Sequence, residues 1–216
     1  MNCRIRYLAS CGCLLLGAAA AHAQTGSIGP AQILAYEGVL YVINGANDVF
    51  ALDVDTGAIL WTYEGRPDAQ AGSFISRSSR GVAIGEGKVF VGLIDAHLVA
   101  LDQQTGEPLW ETQAVRWQDG FSITSAPLYF DGKVITGFSG GELASRGKVR
   151  AFNAVDGALL WTFNTVPGPG EFGHDTWPQD SDAWQYGGAP VWQTPAVDPI
   201  PFHYQNPVTE PRVTND

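Results

Sequence analysis

Ala51-Leu52-Asp53-Val54-Asp55-Thr56-Gly57, with Trp61 shortly after it, recurs as Ala100-Leu101-Asp102-Gln103-Gln104-Thr105-Gly106 with Trp110, and as Ala151-Phe152-Asn153-Ala154-Val155-Asp156-Gly157 with Trp161. The copies are spaced by 49 and then 51 residues. Self-similarity at this period is the mark of a β-propeller, in which each repeat is a small sheet that buries its faces only by stacking on its neighbours. Chemistry is then to be sought where one repeat departs from the others.

The residues of one repeat support strands. Val39-Leu40-Tyr41-Val42-Ile43 is a short β-branched and aromatic run, Asn44-Gly45-Ala46-Asn47-Asp48 has hairpin chemistry, and Val49-Phe50-Ala51-Leu52-Asp53 pairs back. The Asp-x-x-Thr-Gly step turns the chain, because glycine accepts φ > 0 and the polar residues before it bond to the backbone. Past about residue 25 no helical period of useful length occurs. Trp61, Trp110 and Trp161 are large enough to fill the contact between successive sheets, and that is the role expected of them. The predicted class is all-β, a propeller of four-stranded blades of about 50 residues, of which this chain holds roughly three to four.

A formal charge of −10 argues against nucleic acid as a partner, since phosphate binding needs a basic face. Arg4 and Arg6 precede an apolar stretch from Leu14 to Ala21, and Ala21-His22-Ala23 has the small-x-small form of a cleavage site. Residues 1–23 therefore read as an export signal, 24–199 as a partial propeller and 200–216 as an irregular tail. The apolar stretch is too short for a transmembrane segment. Cys3, Cys11 and Cys13 all fall within the signal, so no disulfide is expected in the processed chain.

The third repeat departs from the other two. From Gly38 to Ala51 and from Gly87 to Ala100 the separation is 13 residues, whereas from Gly132 to Ala151 it is 19. The extra residues fall within Phe138-Ser139-Gly140-Gly141-Glu142-Leu143-Ala144-Ser145-Arg146-Gly147, between two paired strands and hence on one rim. Ser139-Gly140-Gly141 can bring N–H groups and a hydroxyl to an anion, and Glu142 can offer a hard carboxylate to Ca²⁺. On these residues alone a solvated hairpin is the commoner reading.

Ile123-Thr124-Ser125-Ala126-Pro127, Gly137-Phe138-Ser139-Gly140-Gly141-Glu142-Leu143, Gly170-Glu171-Phe172-Gly173-His174-Asp175-Thr176-Trp177 and Gly187-Gly188-Ala189-Pro190-Val191-Trp192 together resemble the pyrroloquinoline-quinone (PQQ)-dependent alcohol dehydrogenases. The resemblance implies an eight-bladed periplasmic propeller that holds the quinone with Ca²⁺ or a lanthanide, oxidises a primary alcohol or aldehyde, and passes electrons to a cytochrome c-type acceptor. It also implies residue roles. Arg80, Thr124, Ser139, Gly140 and Gly141 would hold the quinone carboxylates, Trp192 would form one wall of the stack, and Glu142 would ligate the metal.

Departures from the family pattern carry their own expectations. Phe74 and Ile75 stand where the family has a vicinal disulfide, and Pro30 or a neighbour where several members have a glutamate. Beyond Gln193-Thr194-Pro195-Ala196-Val197-Asp198-Pro199, which reads as the first strand of a further repeat, Pro201, Pro207 and Pro211 are incompatible with a central strand. The family's catalytic aspartate and second metal ligand belong beyond that point, so the chain is expected to be a truncated, inactive copy. The alternative is a non-catalytic periplasmic scaffold for protein contacts, which leaves the Ser-Gly-Gly-Glu loop and Arg80 without a purpose.

Overall fold

The structure, a computed structural model, describes residues 33–71 and 78–197. The export signal, Pro30, Phe74, Ile75 and the prolines of the tail lie outside the described residues. Three four-stranded antiparallel meanders follow one another in the chain. The first blade is β1 (Leu34–Tyr36), β2 (Val39–Ile43), β3 (Val49–Asp53) and β4 (Ile59–Tyr63). The second is β5 (Ala83–Gly85), β6 (Lys88–Gly92), β7 (His97–Asp102) and β8 (Pro108–Gln113). The third is β9 (Leu128–Phe130), β10 (Lys133–Gly137), β11 (Lys148–Asn153) and β12 (Leu159–Asn164). Among the described residues the only helical pieces are 3₁₀ turns.

The repeat is a repeat of register. Ala51 pairs with Tyr41 on one side and Trp61 on the other, Ala100 with Phe90 and Trp110, and Ala151 with Ile135 and Trp161. Each of these alanines is fully buried. A methyl at that position leaves room above it, so the flanking rings meet across the strand: the Tyr41–Trp61 and Phe90–Trp110 centroids are each 5.9 Å apart. A register shift follows the alanine in all three blades and bends the outer hairpin toward its turn. In the first two turns Asp53 and Asp102 accept from the backbone N–H and the hydroxyl of Thr56 and Thr105. The third turn lacks the threonine, and Asn153 accepts only from Val155 N–H.

Blades join through the tryptophans. Trp61 Nε1 donates to Gln103 O and Trp110 Nε1 to Ala154 O, both at 3.1 Å, in the turn of the following blade. Each indole lies against that turn's glycine: a Cβ on Gly106 or Gly157 would come within 2.5 or 2.7 Å of the ring. Trp161 differs from expectation, being 42% exposed with no such partner, because no sheet follows it among the described residues. For the same reason residues 193–197, expected as the start of another strand, pair with nothing. Between blades one and two the core holds Tyr41, Val49, Val89, Val99 and Leu101, and between two and three Phe90, Leu98, Ile123, Phe138 and Phe152.

Candidate functional site

Four segments meet at one rim: the approach to β5, the β8–β9 connection, the long β10–β11 loop, and residues 187–192 beyond β12. Ser122 and Ser139 exchange backbone hydrogen bonds, N–H to O at 3.3 and 2.9 Å, which clips the long loop beside the β8–β9 connection. The loop then makes a 3₁₀ turn over Gly141–Leu143. Gly140 enters that turn at φ +123°, and a Cβ there would come within 1.8 Å of Gly120 O. Only glycine fits. Among the described residues the N–H groups of Gly140, Gly141 and Glu142 meet no hydrogen-bond acceptor, so three successive donors are left for a ligand.

Ser78, Arg80, Thr124, Ser139, Gly140, Glu142, Pro190 and Trp192 enclose a cavity of about 250 Å³. Arg80 is fixed from its own backbone, N–H to Thr124 O at 3.0 Å, and from its side chain, Nη1 to Thr124 O at 3.1 Å and to Thr124 Oγ1 at 2.9 Å. Thr124 Oγ1 and Ser139 Oγ share a hydrogen bond of 2.5 Å. Thr124 Oγ1 also accepts from Arg80, and either hydroxyl can donate in the bond between them, so the one that does not donate keeps its hydrogen for another acceptor. Burial lowers the Arg80 pKa from its usual value, yet an arginine stays cationic at neutral pH. The guanidinium lies 4.7 Å over the Trp192 ring.

Six of the seven residues singled out in the sequence, Arg80, Thr124, Ser139, Gly140, Glu142 and Trp192, thus line one cavity. Gly141 does not; its Cβ position lies 2.7 Å from Pro190, so its bareness lets the 187–192 segment close in. Ser78 and Pro190 were not singled out. Ser78 could have been found two residues before Arg80, on the same side of an extended segment, whereas nothing local marks Pro190. Of the described histidines, His97 opens β7, 3.1 Å from Asp95, and His174 Nδ1 is 3.1 Å from Pro167 O with its ring edge-on to Trp184.

The donor set fits a flat polyanion: an indole face, an arginine, two hydroxyls and free N–H groups around one small cavity. It fits a metal less fully. Glu142 is exposed at the cavity edge, and among the described residues no three His, Cys, Asp or Glu side chains converge. A Ca²⁺ ion takes roughly six to eight oxygens, so Glu142 and a ligand's own atoms supply only part of a shell.

Stacked four-stranded blades with this rim cavity define a β-propeller suited to a flat anionic molecule. Residues 17–200 match the family described as PQQ: glucose/ethanol/alcohol dehydrogenase, β-propeller domain. The chain belongs to that family. It is 38% identical over 186 residues to the quinoprotein alcohol dehydrogenase PedH of Pseudomonas putida, covering 78% of this chain and 31% of that one. It is 39% identical over 138 residues to the 1-butanol dehydrogenase (cytochrome c) of Thauera butanivorans, covering 62% of this chain and 20% of the other. A solved europium-containing methanol dehydrogenase superposes with a TM-score of 0.70 at 32% identity, over 77% of this chain and 33% of that one. The chain spans a third or less of the length of these proteins.

Proposed function

We propose that this chain contributes one wall and the edge donors of a PQQ site in a periplasmic enzyme that oxidises primary alcohols or aldehydes and delivers electrons to a cytochrome c-type acceptor. The observation that carries this reading is the convergence of Arg80, Thr124, Ser139, Glu142 and Trp192, from four separated segments, on one cavity. The alcohol-dehydrogenase relatives support the substrate class, the 1-butanol enzyme's name supports the acceptor, and the europium enzyme supports a lanthanide as an alternative to Ca²⁺. The export signal supports the compartment.

When bound, the quinone supplies the acceptor for the hydride of the alcohol carbon, with a metal polarising its reactive carbonyl. The chain's own groups bind and orient. Trp192 would offer its indole plane to a flat ring, and Arg80, held by Thr124 beside that plane, would offer its guanidinium to a carboxylate. The Gly140, Gly141 and Glu142 N–H groups and the Ser139 hydroxyl would hold further oxygens, and the Glu142 carboxylate would ligate the metal. Among the residues lining the cavity no second carboxylate stands ready to take the alcohol proton. A positioned base contributes about 10²–10⁴-fold, so these 216 residues alone are expected to turn over no alcohol.

Titration of the chain with PQQ and Ca²⁺, followed by tryptophan fluorescence, tests the proposal. Weak binding with quenching is expected, Trp192→Ala removing most of the quenching and Glu142→Gln removing the dependence on Ca²⁺. Tight binding indifferent to Glu142→Gln would overturn the metal assignment, and quenching unchanged in Trp192→Ala would overturn the wall. Dye-linked turnover of short alcohols above a protein-free control would overturn the inactivity of the isolated chain.

A further inference from the structure

The third blade departs from the pattern at a second place. With Ala51, Ala100 and Ala151 in equivalent register, Arg150 stands where the other blades carry Phe50 and Val99, and Lys148 where they carry Asp48 and His97. Val99 belongs to the apolar core between the first and second blades. At the corresponding contact between the second and third, Arg150 Nη1 donates to Ala114 O, and its Nε is buried with no partner. Lys148 Nζ lies 4.7 Å over the Phe121 ring. Burial, then the neighbouring Arg150 and Arg146, hold the Lys148 ammonium below its usual 10.5, against a smaller opposing pull from Asp119.

Among the described residues neither Lys148 nor Arg150 forms an ion pair, in a chain whose formal charge of −10 could have supplied a partner. Arg146, by contrast, is engaged, with Nη2 on Glu171 and the guanidinium 4.8 Å over Trp184. A partly buried cation pair without a counter-charge is costly unless something else brings one. The space for it is present. Two cavities of about 700 and 330 Å³ share Lys148, Phe121 and Asp119. The larger is also lined by Trp117, Tyr186 and Ser145, whose buried hydroxyl has no partner. They lie across the Gly141–Leu143 turn from the PQQ cavity: Leu143, Ala144 and Ser145 line this side, Ser139, Gly140 and Glu142 the other.

We propose that this cleft between the second and third blades binds a small aromatic carboxylate, its oxygens held by Lys148 and Arg150 and its ring against Phe121 and Trp117. Arg116 and Asp119 are both exposed at the mouth, Asp119 pulling on Lys148 only weakly, which leaves Lys148 and Arg150 as two inner cations for the two oxygens of one carboxylate. The apolar ring walls favour an aromatic body over a bare inorganic anion. The proposal does not depend on quinone binding at the neighbouring cavity.

The test is equilibrium binding of benzoate, with benzamide as the neutral isostere, to the purified full chain by calorimetry. Benzoate is expected to bind about tenfold or more tightly than benzamide. Lys148→Gln, at a partly exposed position, and Arg150→Gln are each expected to abolish that preference, while Lys133→Gln, a surface charge on β10, and Trp192→Ala, in the other cavity, preserve it. Equal affinity for benzoate and benzamide would overturn the proposal, as would a folded Lys148→Gln chain that still prefers benzoate. Loss of the preference in Trp192→Ala but not in Lys148→Gln would place the anion in the quinone cavity instead, and would equally overturn it.

Discussion

Arg80 illustrates how little freedom a single site residue has. One nitrogen serves both the Thr124 carbonyl and its hydroxyl while the guanidinium plane lies on Trp192, a combination of fork and stack that an ammonium cannot reproduce. Arg80→Lys is therefore expected to weaken quinone binding by about tenfold or more, read from the same fluorescence titration with PQQ. Gly140→Ala should act on stability as well. Its Cβ would strike Gly120 O and its φ of +123° is foreign to alanine, so a loss of more than about 2 kcal/mol is expected in urea unfolding. Six of the residues that line the rim cavity were legible because the resemblance names them one by one. Ser78 was legible only through its place two residues before Arg80, and Pro190 was not, since it enters by packing of a loop that has no period. Lys148 and Arg150 were legible in principle, as charges on a face where the equivalent positions are apolar or neutral in the second blade, but an insertion next door draws the eye first.

At the scale of the element, the blade contact is one indole on one turn. Trp110 donates to Ala154 O and covers Gly157, so Trp110→Ala is expected to cost about 3–5 kcal/mol, and Trp110→Phe about 1 kcal/mol for the lost hydrogen bond. Trp161→Ala, at a residue 42% exposed, should cost under about 1 kcal/mol, and chemical denaturation of the three variants gives the order directly. The repeat announced strands, turns and this indole in the sequence. It did not announce that residues 193–197 would be unpaired, because a strand is made by its neighbour as much as by its own residues. The turns also carry a pH dependence. Hydrogen bonds from Thr56 and Thr105 hold Asp53 and Asp102 below the ordinary 3.8. A carboxylate depressed on folding contributes stability above its unfolded pKa and loses it as pH falls through the lower folded value. Acid titration of stability should thus show a loss below about pH 4 that Asp102→Asn reduces, whereas Asn153, which cannot titrate, adds nothing to that loss.

Among the described residues the same contact is left half-made at both ends of the arc. There the Gly57 turn has open space above it where Gly106 and Gly157 each carry an indole, and Trp161, Leu159, Leu160 and Phe163 are exposed on and around the outer strand of the third blade. A tryptophan face at one end and a vacant glycine turn at the other are complementary, and they lie on different surfaces. Contacts of that kind are head-to-tail: they close into a ring only if the rotation per copy allows it, and otherwise extend. Apolar area exposed this way is also what drives non-specific association. Purified as these 216 residues, the chain is therefore expected to show a mass that rises with concentration in light scattering, and Trp161→Asp is expected to suppress the rise without altering the two blade contacts made by Trp61 and Trp110. A monomer at all concentrations with one cooperative thermal transition would refute this.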